Sequence, residues 1–245
     1  MALGMFCSIP LPSHIWDKQL MPQMVISLPL VGLVIGTIWW AICLLLNALH
    51  IPFMLTAAVM ALIPFLIAGF IHLDGYMDTS DAILSRRPLE DRLRILKDPT
   101  VGAFAVIMLV ILLLMQFAAM YTIAENMSYL ALLITICTLS RSCSAISILN
   151  LRHMPISNYV SLLAQKIHIP HTIFVSAVAI SSISLSFLYA GFFGLIVSAA
   201  VILGYAIAMA VVYNNFRGVS GDLLGYALVL SELCGLIALA ILQEL

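Results

Sequence analysis

The chain has 245 residues, 64% of them apolar and 9% charged, with a mean hydropathy of +1.17. That is more apolar surface than one buried core can absorb, so most of the chain must face lipid or other membrane helices, and a soluble globular enzyme is excluded. The apolar residues come in unbroken runs of about twenty rather than in alternation, which excludes an outer-membrane barrel. A net charge of −1 gives nucleic acid nothing to bind.

Membrane spans are expected near 24–47, 51–71, 101–123, 129–149, 171–190, 192–213 and 222–243. The long run 171–213 is divided at Gly191 and Gly194, and Pro52 is placed to begin the second span. The expectation is an all-α polytopic membrane protein of about seven helices, a single integral domain over 1–245. On this plan Lys18, Arg86, Arg87, Arg92, Arg94, Lys97, Arg152, Lys166 and Arg217 share one side, while Glu125 and Glu244 lie on the other. The positive-inside rule makes the basic side cytoplasmic and the N-terminus with it, in a multi-pass protein of the cell membrane. The N-terminus lacks the pattern of a cleaved signal peptide. Five cysteines without a C-x-x-C pair, four of them inside apolar runs, argue against a disulfide framework or a zinc site.

Chemistry is expected in the cytoplasmic segments 72–100, 150–170 and 214–222. Asp74, Asp78 and Asp81 are spaced i, i+4, i+7, so they share one stripe if span two continues as a helix beyond the membrane face. Three carboxylates on one stripe repel, and hard oxygen donors suit Mg²⁺ or Mn²⁺; the alternative is a solvated face paired with nearby arginines. Lys97-Asp98 precedes span three, where Gly102 would let a phosphate approach the backbone. The turn Arg217-Gly218-Val219-Ser220-Gly221-Asp222 reads either as a capped helix start, with Ser220 or Asp222 as cap, or as a phosphate-binding turn, or as one more metal carboxylate. Arg141 and Glu232 stand inside spans at similar depths, which predicts that they pair or share a cavity.

The stretch 69–102, GFIHLDGYMDTSDAILSRRPLEDRLRILKDPTVG, resembles the signature of the cobalamin synthase family, the adenosylcobinamide-GDP ribazoletransferases. Ser8-Ile9-Pro10 with Pro12, Pro29 with Gly32 and Gly36, Ser140-Arg141, the 217–225 turn and Glu232 extend the likeness over nearly the whole chain. Phe70, Ala82, Ala105 and Arg217 stand where the family usually has glycine. The resemblance implies that α-ribazole, or its 5′-phosphate, attacks adenosylcobinamide-GDP and releases GMP. It implies a metal on Asp74, Asp78 and Asp81, with Lys97, Asp98 and Asp222 catalytic. Substrate or phosphate would be held by His72, Gly75, Gly102, Arg141, Arg217, Ser220, Gly221 and Glu232. A likeness to the CDP-alcohol phosphotransferases is weaker, because Asp78 and Thr79 occupy their Ala-Arg positions. A transporter would carry its ionisable groups at mid-membrane, whereas most here lie at one interface. Substrates and bilayer are the expected partners, no nucleic acid among them, and homo-oligomerisation is left open.

Overall fold

The computed structural model describes residues 1–10, 17, 20–154 and 169–244. The expected segment 150–170 therefore lies largely outside the described residues, as do Pro12, Lys18 and Lys166. The elements are α1 (Ala2–Phe6), α2 (Met21–Ile26), α3 (Leu28–Ala48), α4 (Phe53–Ile67), α5 (Ile71–Leu84), α6 (Leu89–Ile95), α7 (Ala103–Glu125), a 3-10 turn (Met127–Tyr129), α8 (Leu132–Asn150), α9 (Ile169–Ala190), α10 (Phe192–Phe216) and α11 (Gly221–Gln243). Six of them, α3 and α7 to α11, are long and apolar enough to cross a bilayer, and α4 with α5 forms a seventh candidate bent by 92°.

Burial sorts these helices. The most apolar stretch of α8 is 78% buried and that of α11 61%, whereas α9 is buried over only 17%. So α8 and α11 form the centre, and α9 turns most of its surface to lipid. Helices in a bilayer gain little from hiding apolar groups, so close backbone approach drives their packing. Gly32 and Gly36 supply it: β-carbons there would stand 2.3 Å from the Cys137 carbonyl oxygen and 2.6 Å from Ile134 Cα, so α3 lies directly on α8.

Span two departs from expectation. It does not continue as a straight helix; it breaks after Ile67, where Gly69 (φ +65°) and Phe70 (φ +62°) take left-handed backbone. The carbonyls freed at the break find a donor in the N-terminal segment, since the Ser8 hydroxyl donates to Leu66 O (2.6 Å) and Ser8 N to Ile67 O (2.8 Å). One turn earlier Pro64 has no N–H for the Met60 carbonyl, and Trp39 Nε1 donates to it instead at 2.8 Å. The acidic segment expected as part of a loop is thus a separate, tilted helix, α5, and α6 is a further short helix in the same stretch.

The two ends of the bundle differ. At one, Tyr129 meets Tyr189 and Phe193 edge-on and Phe53 meets Tyr121, amphipathic rings of the kind that settle at a membrane interface. At the other, the chain folds back on itself: Val219 N donates to Arg152 O (3.0 Å) and Met154 N to Val219 O (3.1 Å). There Arg92 donates to the Asn215 side chain, and its guanidinium lies 5.8 Å from the centre of the Phe216 ring.

Candidate active site

Two glycines on facing helices build the acidic site. A β-carbon on Gly75 would come within 2.7 Å of Asp222 Cα, and one on Gly225 within 3.1 Å of the His72 carbonyl oxygen. Helix α5 therefore lies on the first turn of α11 with nothing between the backbones. That crossing gathers the carboxylates: Asp78 faces the charges of Asp74, Asp222 and Asp81, and Asp222 faces that of Asp74. Gly75 acts here by its absence of a side chain, which sets the crossing.

Among the described residues the cluster has no cationic partner. Among the described residues, the ion pairs are Arg94–Asp91 and Arg141–Glu232, and no arginine or lysine neutralises Asp74, Asp78, Asp81 or Asp222. The solvated face paired with arginines is thus not what forms. Nor are three acidic, histidine or cysteine side chains already drawn around one metal-sized position among the described residues. Four mutually repelling carboxylates, all hard oxygen donors and none balanced by a lysine or arginine among the described residues, are nonetheless a donor set that fits a divalent cation.

Gly102 is reassigned. A β-carbon at this position would stand 2.1 Å from Asp81 Oδ1 and 2.2 Å from Oδ2, so the room at Gly102 is filled by the Asp81 carboxylate and not left for a phosphate. The same contact brings the 97–102 turn against the cluster. Lys97 and Asp98 are exposed on that turn. Asp98 Oδ1 accepts from Thr100 N (2.9 Å) and Thr100 Oγ1 (2.6 Å), which holds its carboxyl below the usual range.

In the late turn the cap reading prevails. Ser220 Oγ accepts from Leu223 N at 3.4 Å and begins α11, which leaves Asp222 for the cluster. Arg217 is exposed and ends α10 with φ +57°. Gly221 is exposed, with open space around a built β-carbon. The glycine replacements now divide by cause: Phe70 and Arg217 occupy left-handed backbone, whereas Ala82 and Ala105 are buried in helices.

Arg141 and Glu232 pair as expected. Arg141 Nη1 lies 2.5 Å from Glu232 Oε1, with both side chains buried, and Ser140 Oγ donates to the same oxygen at 2.8 Å. Together with Phe70 and His72 they border a very small cavity beneath the acidic site. Arg141 Nε and His72 Nε2 are both buried without a partner.

Sequence reasoning missed a pocket. Behind Asp222, residues of α1, α3, α5, α8 and α11 enclose a mostly apolar cavity that includes His72 and Ser144. Its walls come from five separate helices, so no local motif signalled it.

The fold and site define a polytopic helical membrane protein with a carboxylate cluster at one end of its bundle. The chain belongs to the cobalamin-5-phosphate synthase family, whose model matches residues 1–240. It is 37% identical over 242 residues to an adenosylcobinamide-GDP ribazoletransferase of Clostridium perfringens, covering 99% of this chain and 96% of that one. Proteins of the same name from Clostridium botulinum and Pseudomonas fluorescens are 34% and 30% identical; the coverage is 96% of this chain and 94% of the relative in the first case, 98% and 97% in the second. No solved structure matches the chain.

Proposed function

We propose that this chain is an adenosylcobinamide-GDP ribazoletransferase. It joins α-ribazole, or its 5′-phosphate, to adenosylcobinamide-GDP and releases GMP. The observation that carries this reading is the union of Asp74 and Asp78 with Asp222 across the Gly75 crossing, in a chain whose family match runs almost end to end.

A hydroxyl oxygen of the ribazole forms a bond to the corrinoid-linked phosphorus as the pyrophosphate bridge breaks. GMP leaves with the bridging oxygen, and the hydroxyl proton passes to a base. Asp222 takes that role, because it stands between the carboxylate cluster and the apolar pocket, whereas Asp98 is tied to Thr100. Asp74, Asp78 and Asp81 would hold Mg²⁺ or Mn²⁺, which when bound would neutralise pyrophosphate charge. Lys97, brought near by the Asp81–Gly102 contact, holds the departing phosphate. The site opens to the cytoplasm, on the side where basic residues collect.

The test is GMP release by the purified protein in lipid nanodiscs with adenosylcobinamide-GDP, α-ribazole and Mg²⁺. Turnover that stops in EDTA supports the reading. No GMP release here, with CMP released instead from a CDP-alcohol and an alcohol acceptor, would replace it by a lipid phosphotransferase.

A further inference from the structure

Helix α6 has little core of its own. It has seven residues, none of them fully buried, which is too short to persist by itself. Leu89, Leu93 and Ile95 are only partly buried, and the exposed Arg94–Asp91 pair contributes little. Of the basic residues between α5 and α7, Arg86, Arg87, Arg94 and Lys97 are exposed, whereas Arg92 is drawn inward. Its Nη1 donates to Asn215 Oδ1 and its guanidinium lies over the Phe216 ring, both at the end of α10. Asn215 is fixed in turn, since its side-chain nitrogen donates to Val211 O at 2.8 Å.

This seat suits a clamp better than a phosphate. Nη1 is engaged by Asn215 and Nε is buried, so the guanidinium is closed along that edge to an incoming anion. What remains is a planar cation stacked on a ring, which holds two helices together.

The clamp joins the two halves of the acidic site. Leu96 lies one turn after Arg92, its N–H donating to Arg92 O, and is buried in the core that also holds Phe216, Val219 and Leu223. Lys97 follows it directly, and at the far end of the same turn Gly102 rests on the Asp81 carboxylate. On the other side, Phe216 ends α10 and the chain passes through the Ser220 cap into Asp222. The seat of Arg92 thus sets where Lys97 stands relative to Asp81 and Asp222.

We propose that Arg92 is a positioning residue of the transfer reaction: it clamps α6 to the end of α10 and so fixes Lys97 against the carboxylate cluster. The role rests on the ribazoletransferase reading for the reaction it serves, and hydrogen exchange reads the clamp without turnover.

Arg92→Ala removes the clamp, and Arg92→Lys keeps the charge but loses the planar fork and the stacking. Asn215→Ala removes the acceptor with Arg92 in place and is expected to produce the same changes. Amide exchange over 89–102, measured on the full chain in nanodiscs, is expected to quicken by ~10-fold or more in these variants, with α8 and α11 unchanged. The kcat/KM for adenosylcobinamide-GDP should fall ~10-fold or more, with the KM for α-ribazole changed by less than about twofold. In a Lys97→Ala background, Arg92→Ala should still quicken exchange but cost less than about twofold in that kcat/KM.

An arginine that only supports the fold, or that touches substrate itself, would cost as much in either background, and that result overturns the proposal. So does exchange left unchanged in the Arg92 variants, and so does quickened exchange with undiminished activity. Arg92→Lys that matches wild type in both measurements overturns it as well. If the wild type releases no GMP, the transfer reading falls and exchange alone decides the clamp: quickened over 89–102 it stands, unchanged it falls. If GMP release is normal and the variants leave exchange untouched, the transfer reading stands without the clamp.

Discussion

Gly75 and Asp222 touch through their backbones: a β-carbon at residue 75 would lie 2.7 Å from Asp222 Cα and 2.8 Å from its carbonyl oxygen. The acidic site therefore depends on a residue with no chemistry of its own. Gly75→Ala forces α5 and α11 apart. Overpacking costs about 1–3 kcal/mol, and the ~1 kcal/mol that alanine gains in helix propensity offsets only part of it. The expected outcome is a lowered melting temperature together with a ~100-fold loss of GMP release, as a small misplacement of reacting groups produces. An alanine variant as active as wild type would show that the crossing does not set the site.

Removing charge from the cluster should separate catalysis from stability. Asp74→Asn, Asp78→Asn and Asp222→Asn are each expected to cut turnover by about 10² or more. Each should also raise the melting temperature in EDTA, because a like-charge neighbour has been removed. Stabilisation of the wild type by added Mg²⁺, read by thermal shift, should shrink in the same variants. Loss of activity with an unchanged Mg²⁺ response would place the metal elsewhere.

For the buried pair, Glu232→Gln leaves Arg141 stranded, at a cost of about 3–5 kcal/mol. In the double variant Arg141→Gln/Glu232→Gln most of that loss is expected to return, since no uncompensated charge remains. Denaturation midpoints of the four proteins in a double-mutant cycle decide it; additive losses would mean that the two side chains act independently.

Arg217 bears a conformational cost at φ +57°. Because its side chain is exposed, Arg217→Gly is expected to stabilise the fold by up to ~1 kcal/mol. The same variant tests whether the guanidinium serves the reaction: a raised melting temperature with normal KM values would confine it to ending α10.

Sidedness is checked with single cysteines at two exposed positions, Arg87→Cys and Glu125→Cys. An impermeant thiol reagent should label the first only from the cytoplasm and the second only from outside. Labelling of both from one side would remove the expected orientation.

The spans are readable because a bilayer demands about twenty consecutive apolar residues, and that demand is written in composition. The depth of Arg141 and Glu232 follows from counting residues along two such spans, so their pairing can be anticipated. The break after Ile67 is not readable. Left-handed backbone is normally betrayed by glycine, and here a phenylalanine holds one of the two positions, while the Ser8 that completes the break lies almost sixty residues away. Gly102 reads as a place of close approach, but a sequence does not say what approaches, and it is an aspartate from the preceding acidic helix that arrives. The pocket behind Asp222 is made from five helices and leaves no local trace at all.

The 92° break also bears on the choice of membrane. Helix α4 has fifteen residues, which reach about 22 Å at 1.5 Å per residue, well short of a ~30 Å hydrocarbon layer. The remainder of that crossing has to come from α5, whose middle carries the carboxylates of the cluster. A bilayer of long-chain lipids would pull those charges toward hydrocarbon, and one of short-chain lipids would free them, each ångström of mismatch costing a fraction of a kcal/mol. Acyl-chain length in a reconstituted system thus becomes a control on turnover, with the optimum expected at chains shorter than those that best suit its neighbour α7, whose 23 residues span the layer unaided.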